Sequence, residues 1–169
     1  MIPRRVILAA AAALASLAYA AVFPLSPPLP GERARVIDGD TVELGPNRVR
    51  FWGIDAPERI QQCADDAGRA YRAGAASTAH LAQMIAGRPL SCRPIEKDRY
   101  GRQVAICWAN GDWLSVNARM VLEGMAFATT DYDRLAAIYL PLDAIASARG
   151  HGLRQLRCQR PADFRRSSR

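Results

Sequence analysis

Lysine is almost missing from this sequence. Lys97 is the single one among 23 Lys+Arg residues, a bias that GC-rich codon usage explains as readily as a demand for guanidinium groups, so it excludes little by itself. Histidine is limited to His80 and His151. Neither is spaced from a second ligand or a nucleophile as a metal site or a catalytic triad requires, and both read as structural or solvent-exposed. Cys-x-x-Cys is absent as well, which weakens zinc as the reason for the cysteines. Beyond residue 33 there is no internal repeat and no long low-complexity tract, and 169 residues leave no room for a large multidomain enzyme. What is present supports one folded core. Half of the residues are hydrophobic and 23% are charged, a balance that can offset the entropy of ordering the chain. The formal charge of +7 and a pI near 9.8 suit a phosphate-bearing polymer or an anionic membrane as partner.

Residues 1–20 carry Arg4 and Arg5, an apolar run from Val6 to Leu17, and Ala18-Tyr19-Ala20, the small-x-small pattern of a signal-peptidase site. Export with cleavage, to the periplasm or the medium, is one expectation. The apolar stretch continues through Ala21, Val22 and Phe23 and approaches the roughly 20 residues of a membrane helix, so an uncleaved anchor over residues 6–23 is the other. Arg4-Arg5 lacks the surroundings of a twin-arginine signal. Residues 24–33, with Pro24, Pro27, Pro28 and Pro30, read as an extended linker. The expected division is a signal or anchor over 1–23, a linker over 24–33, a folded domain over 34–158 and a basic tail over 159–169. Cleavage after Ala20 would remove Arg4 and Arg5 and lower the net charge from +7 to +5.

Beside an export signal, Cys63, Cys92, Cys107 and Cys158 read as two disulfides, with three connectivities possible. A symmetric hairpin centred between Arg99 and Tyr100 sets Cys92 opposite Cys107, where facing strand positions come close enough for a bridge. Elimination leaves Cys63 to Cys158.

The β-formers of 34–44 and 48–54, separated by Gly45-Pro46-Asn47, predict two strands. Over 67–86, Tyr71, Ala75, Thr78, Ala82 and Ile85 recur at helical steps and Gly87 supplies a stop, which predicts an amphipathic helix on that face. Strands at 88–95 and 102–109 form the cysteine hairpin. A short helix over 116–123 and a strand at 125–128 follow. Leu142, Ile145 and Arg149 mark a last helix starting near Pro141. Five short strands arranged as hairpins, with three helices, fit a small closed barrel better than a parallel sheet.

Three acidic clusters stand out: Asp38-Gly39-Asp40-Thr41, Asp55-Ala56-Pro57-Glu58 and Asp65-Asp66. The first is not a calcium hand, since Glu43 and Val49 fall where that loop needs glycine and glutamate. Taken alone, this first cluster reads as a polar turn, and any one Arg–carboxylate pair reads as a surface ion pair. Their company with Arg50 and with Asp98-Arg99-Tyr100-Gly101-Arg102 is another matter. Residues 50 and 55 would face opposite sides of a straight strand, so convergence on one site requires a bend near Gly53.

With Ile37-Asp38-Gly39-Asp40-Thr41-Val42, Val49-Arg50-Phe51, Asp55-Ala56-Pro57-Glu58 and Asp98-Arg99-Tyr100-Gly101-Arg102 in this order, the sequence resembles the thermonuclease (staphylococcal nuclease-like) family over residues 34–153. The resemblance implies an α+β, mainly β fold, an OB-type five-stranded barrel with three helices. It implies hydrolysis of DNA and RNA to 3′-phosphate products in a calcium-dependent reaction; single strands are the expected preferred substrate, a monomer is expected, and no protein partner is implied. Residue by residue, it implies Asp40, Asp55 and the Ala56 carbonyl as calcium ligands. Arg50, Glu58 and Arg102 are the implied catalytic groups, and Arg99, Tyr100 and Tyr132 the implied substrate contacts. Departures are Ala56 for threonine, Thr130 for tyrosine, and Arg154 where relatives often carry tryptophan, which leaves the tail dependent on Cys158 for docking. The competing readings are a non-catalytic OB-fold module for single-stranded nucleic acid and an anchored protein whose basic face meets anionic lipid.

Overall fold

The computed structural model describes residues 29–168. The expected signal or anchor segment lies outside them, and so does the start of the linker. Among the described residues no helix is long and apolar enough to cross a membrane.

The described residues form ten strands: β1 Leu29–Glu32, β2 Arg35–Asp38, β3 Thr41–Leu44, β4 Asn47–Phe51, β5 Ile54–Asp55, β6 Cys63–Ala64, β7 Ala70–Tyr71, β8 Leu90–Lys97, β9 Gln103–Ala109 and β10 Phe127–Ala128. The helices are α1 Ala73–Ile85, α2 Val116–Leu122, α3 Leu140–Ala148 and α4 Pro161–Ser167, with 3-10 turns at Arg134–Tyr139 and Gly152–Gln155. Six strands form one mixed sheet in the order β1-β8-β9-β4-β3-β2, while β5 pairs with β10 and β6 with β7. This architecture is consistent with an OB-type fold, with differences from the expected five strands and three helices. The sheet ends at β1 and β2, β1 lies in the segment read as linker, and α4, formed by the basic tail, is a fourth helix among the described residues.

The stretch 34–44, expected as one strand, is two. It breaks at Gly39-Asp40, and its halves pair antiparallel with Val36 facing Val42. Two contacts account for the break. The Asp38 carboxylate accepts the Asp40 N–H at 3.1 Å, and Gly39 lies so close to Ser77 that any side chain would collide with it. The cysteine hairpin pairs as expected, Cys92 opposite Cys107, with a register shift between Pro94 and Glu96 where proline has no N–H to donate. Both disulfides are formed, Cys92–Cys107 and Cys63–Cys158.

Helix α1 begins at Ala73, six residues later than expected, and buries Ala73, Ser77, Leu81, Met84 and Ile85. The expected face was wrong in phase: Tyr71, Ala75 and Ala82 point to water. Gly74 sets the phase, because its missing Cβ leaves room for the Glu58 carbonyl. Helix α3 likewise hides Asp143 and Ala146 and leaves Ile145 exposed. Val42, Leu44, Val49, Phe51, Leu81, Leu90, Met120 and Val121 make up the centre of the core.

Strand β4 is joined to β9 by parallel pairing, Arg50 facing Val104. Asn117 of α2 fastens this seam. Its carbonyl oxygen accepts the Cys107 N–H at 3.0 Å, and its amide donates to the Trp52 and Ala105 carbonyls at 2.9 and 3.1 Å. These bonds satisfy backbone groups on both sides of the seam beside the strand that carries Arg50.

Candidate active site

The bend needed after β4 is present. Gly53 turns with φ +74°, a conformation that favours glycine, and its Cβ position would lie 2.8 Å from the Tyr139 ring. The turn swings Asp55 back onto the Arg50 side. Arg50 Nη2 donates to Asp55 Oδ1 and Arg50 Nη1 to Asp40 Oδ1, each at 3.0 Å. One planar fork therefore spans two carboxylates from different elements. Asp40 also accepts from Thr41 Oγ1 at 2.9 Å and, on its other oxygen, from the Ala56 N–H at 3.0 Å. Asp40 and Asp55 are both buried.

Burial shapes the ionisation of this group. It disfavours the charge on Arg50, but the neighbouring Asp40 and Asp55 carboxylates outweigh it and hold the guanidinium proton more firmly than usual. Asp55 is pushed above the ordinary carboxylate range, first by burial and then by the Asp40 charge, against the pull of Arg165 and Arg50. Asp38 rises to about 6, again through burial and then repulsion from Asp40.

Glu58 sits on a turn clamped from below. Gln61, almost wholly buried, accepts the Glu58 N–H at 3.2 Å and donates to the Gln159 carbonyl at 2.7 Å, while the Gln61 N–H closes the turn on the Glu58 carbonyl at 2.7 Å. The Glu58 carboxylate is joined to Asp55 by a residue the sequence reading assigned only to a basic tail. Arg165 donates to Asp55 Oδ1 at 3.0 Å, to Asp55 Oδ2 at 2.9 Å and to Glu58 Oε1 at 2.8 Å. Those hydrogen bonds raise the affinity of Arg165 for its proton despite partial burial.

On the far side of Arg50 opens a cleft of about 340 Å³, lined by Arg99, Tyr100, Arg102 and Tyr132 among others. Arg102 donates through Nε to Asp98 at 2.7 Å, and its guanidinium lies 5.5 Å from the Tyr100 ring, with Arg99 at 4.9 Å. Lys97 stands at the rim, at the end of β8. Tyr100 and Tyr132 are exposed. Arg50 thus borders both halves of the site. Asp40, Asp55 and Arg50 meet directly, Glu58 is reached through Arg165, and Arg99, Tyr100, Arg102 and Tyr132 share the cleft.

His80 pairs with Glu123 and His151 with the Leu122 carbonyl. Arg154 does not leave the tail loose. It lies over the Phe127 ring at 3.6 Å, pairs with Asp143 and donates to the Ala126 carbonyl at 2.8 Å.

Among the described residues no three His, Cys, Asp or Glu side chains gather as a metal cage. The donor chemistry nevertheless fits a hard cation. Asp40 and Asp55 offer carboxylate oxygens at one notch, and Asp55 already holds two cationic side chains there. Gln61 and Arg165 were missed by the sequence reading. Gln61 carries no signal at all. For Arg165 there was one: a Cys63–Cys158 bridge roots the tail five residues from Glu58.

Residues 48–153 match the family model described as "Staphylococcal nuclease homologue". The chain is 38% identical over 122 residues to succinoglycan biosynthesis protein ExoI of Rhizobium meliloti (strain 1021), covering 72% of this chain and 62% of that protein. It is 39% identical over 140 residues to protein ParB of Escherichia coli, covering 76% and 72%. With the micrococcal nuclease of Shigella flexneri it shares 34% over 140 residues, 74% and 75% of the two chains. The motifs around Arg50, Asp55 and Arg102 all fall inside the matched region, and the chain belongs to the staphylococcal nuclease family.

Proposed function

We propose that this chain is an exported, calcium-dependent nuclease that hydrolyses the phosphodiester bonds of DNA and RNA with little sequence preference. It prefers single-stranded or locally opened substrate and leaves 3′-phosphate ends. One observation carries the reading: Arg50 converges on Asp40 and Asp55 at the edge of a cleft lined by Arg99 and Arg102. All of these groups come from one chain, so a monomer suffices.

A phosphodiester resists attack because its anionic oxygens repel a nucleophile, and the transition state gathers more charge on them. Bound through Asp40, Asp55 and the Ala56 carbonyl, a calcium ion would supply Lewis-acid neutralisation of that charge. Arg50 and Arg102 can each present a planar fork to phosphoryl oxygens, a geometry that a lysine ammonium does not reproduce. Arg99 and Tyr100 hold the neighbouring phosphate, and the exposed ring of Tyr132 offers a face on which a base or sugar can pack. Glu58 orients water and accepts its proton as the water oxygen bonds to phosphorus and the P–O5′ bond breaks. Arg102 stabilises the charge on the five-coordinate state and on the departing oxygen.

Digestion of single-stranded DNA and RNA by the full chain in calcium is the test, with E58Q and R102A as comparisons. Both variants should still bind a short strand yet turn over roughly 100-fold or more slowly. Equal rates in all three would refute the assigned site, and binding without cleavage by the unsubstituted chain would establish the non-catalytic module instead. Strand affinity should fall steeply with salt if phosphate contacts dominate.

A further inference from the structure

The carboxylates that would receive a cation are already engaged by the chain's own C-terminal helix. Each carboxylate oxygen offers about two acceptor sites. Asp55 Oδ1 uses both, for Arg50 and Arg165, while Arg165 also takes a site on Oδ2 and one on Glu58. Asp40 Oδ1 is equally committed, to Arg50 and Thr41. A divalent ion approaching this notch meets a fixed positive charge within contact distance, and like charges so close repel strongly in a partly buried site. Glu58 is held by the same guanidinium through Oε1, so its orientation is set by α4.

The helix is built to leave. Of its seven residues only Pro161 is buried. Its root is secured, by the Cys63–Cys158 bridge, by Gln61 on the Gln159 carbonyl, and by Arg160 on Asp143 and the Ala128 carbonyl at 3.2 Å each. Toward its far end Arg165 makes the ion pairs to the site, while among the described residues Arg166 pairs with Asp163 of the same helix and Ser167 Oγ accepts from the Gln159 side chain at 3.4 Å. Undocking α4 therefore breaks no covalent bond and opens no core. It stays tethered, and so recloses at high effective concentration.

We propose that α4 is an internal inhibitor whose Arg165 competes with a divalent cation for Asp55 and Glu58, so that cation binding unseats the helix and frees Glu58. The inference rests on reading Asp40 and Asp55 as the cation seat. Cleavage plays no part in its test. Calcium affinity is measured by calorimetry on the oxidised full chain, for the unsubstituted protein, R165A and R166A. A closed latch lowers the apparent affinity by the fraction of molecules it holds shut. R165A should therefore bind calcium about tenfold or more tightly than the unsubstituted chain, with R166A close to the latter. Saturating calcium should also raise amide exchange over residues 161–167 of the unsubstituted protein. Equal or weaker affinity in R165A, or exchange in α4 unaffected by calcium, overturns the latch. Absence of calcium binding in every protein overturns both the latch and the calcium reading. Tighter binding by R165A in a chain that cuts nothing would sink the nuclease reading alone.

Discussion

At the scale of single residues the site depends on one glycine that carries no chemistry. Gly53 lets the chain turn between Arg50 and Asp55, and an alanine there would meet both a left-handed backbone and the Tyr139 and Ala136 side chains. G53A should lose about 2–4 kcal/mol of stability and should pull Asp55 away from Arg50. Urea denaturation reads the first effect and calcium titration of the variant the second. The need for this bend was legible in the sequence, because strand alternation alone forbids residues 50 and 55 from sharing a face. Arg165 and Gln61 were not legible in the same way. Arg165 reaches Asp55 and Glu58 across more than a hundred residues of chain, and Gln61 joins its neighbour Glu58 to Gln159 of the tail; neither belongs to a local pattern that marks chemistry.

At the scale of elements, hairpins read well and faces read badly. The β8–β9 pairing followed from turn residues and the two cysteines. The β2–β3 break did not, because β-formers on both sides outweighed the turn residues Asp38-Gly39-Asp40, and the fold-back rests on the Asp38 carboxylate at the Asp40 N–H together with the close approach of Ser77 to Gly39. Helix α1 was misphased because alanine-rich sequence gives weak contrast between its two sides, so the Glu58 carbonyl against Gly74 decides the orientation. The hairpin tip also has a pH-dependent lock. Asp98 accepts from the Tyr100 and Arg102 N–H groups at 2.9 and 3.0 Å and from Arg102 Nε at 2.7 Å. Although desolvation opposes it, these bonds hold its carboxyl below the ordinary 3.8. A depressed carboxylate contributes stability that is present above its unfolded pKa and lost as pH falls through the folded one. D98N should therefore be less stable than the unsubstituted chain at pH 7, and the difference should shrink as pH drops below about 4, as denaturation midpoints across that range would reveal. A constant difference would mean that the Asp98 charge is not what matters.

Across the whole molecule, two disulfides brace very different lengths of chain. Cys92–Cys107 closes 15 residues within one hairpin, whereas Cys63–Cys158 closes 95 and encloses most of the domain. Loop-closure entropy makes the long bridge the larger contributor, about 4–5 kcal/mol against about 3. C63S/C158S should accordingly lower the denaturation midpoint more than C92S/C107S does. The reverse order would show that the short bridge braces the core in some further way. Overall connectivity was legible where short hairpins carried it. The parallel seam between β4 and β9 was not, because no local signal announces a partner more than fifty residues away.

The placement of Lys97 has a practical corollary. As the sole ε-amine in the chain, sitting at the mouth of the cleft beside Arg99 and Tyr100, it is a natural attachment point for an amine-reactive fluorophore. Acylation at high pH would place the dye there, with the α-amino terminus as the one competing target. Quenching or polarisation of that dye would then report strand docking directly, without engineering a reactive residue into the protein.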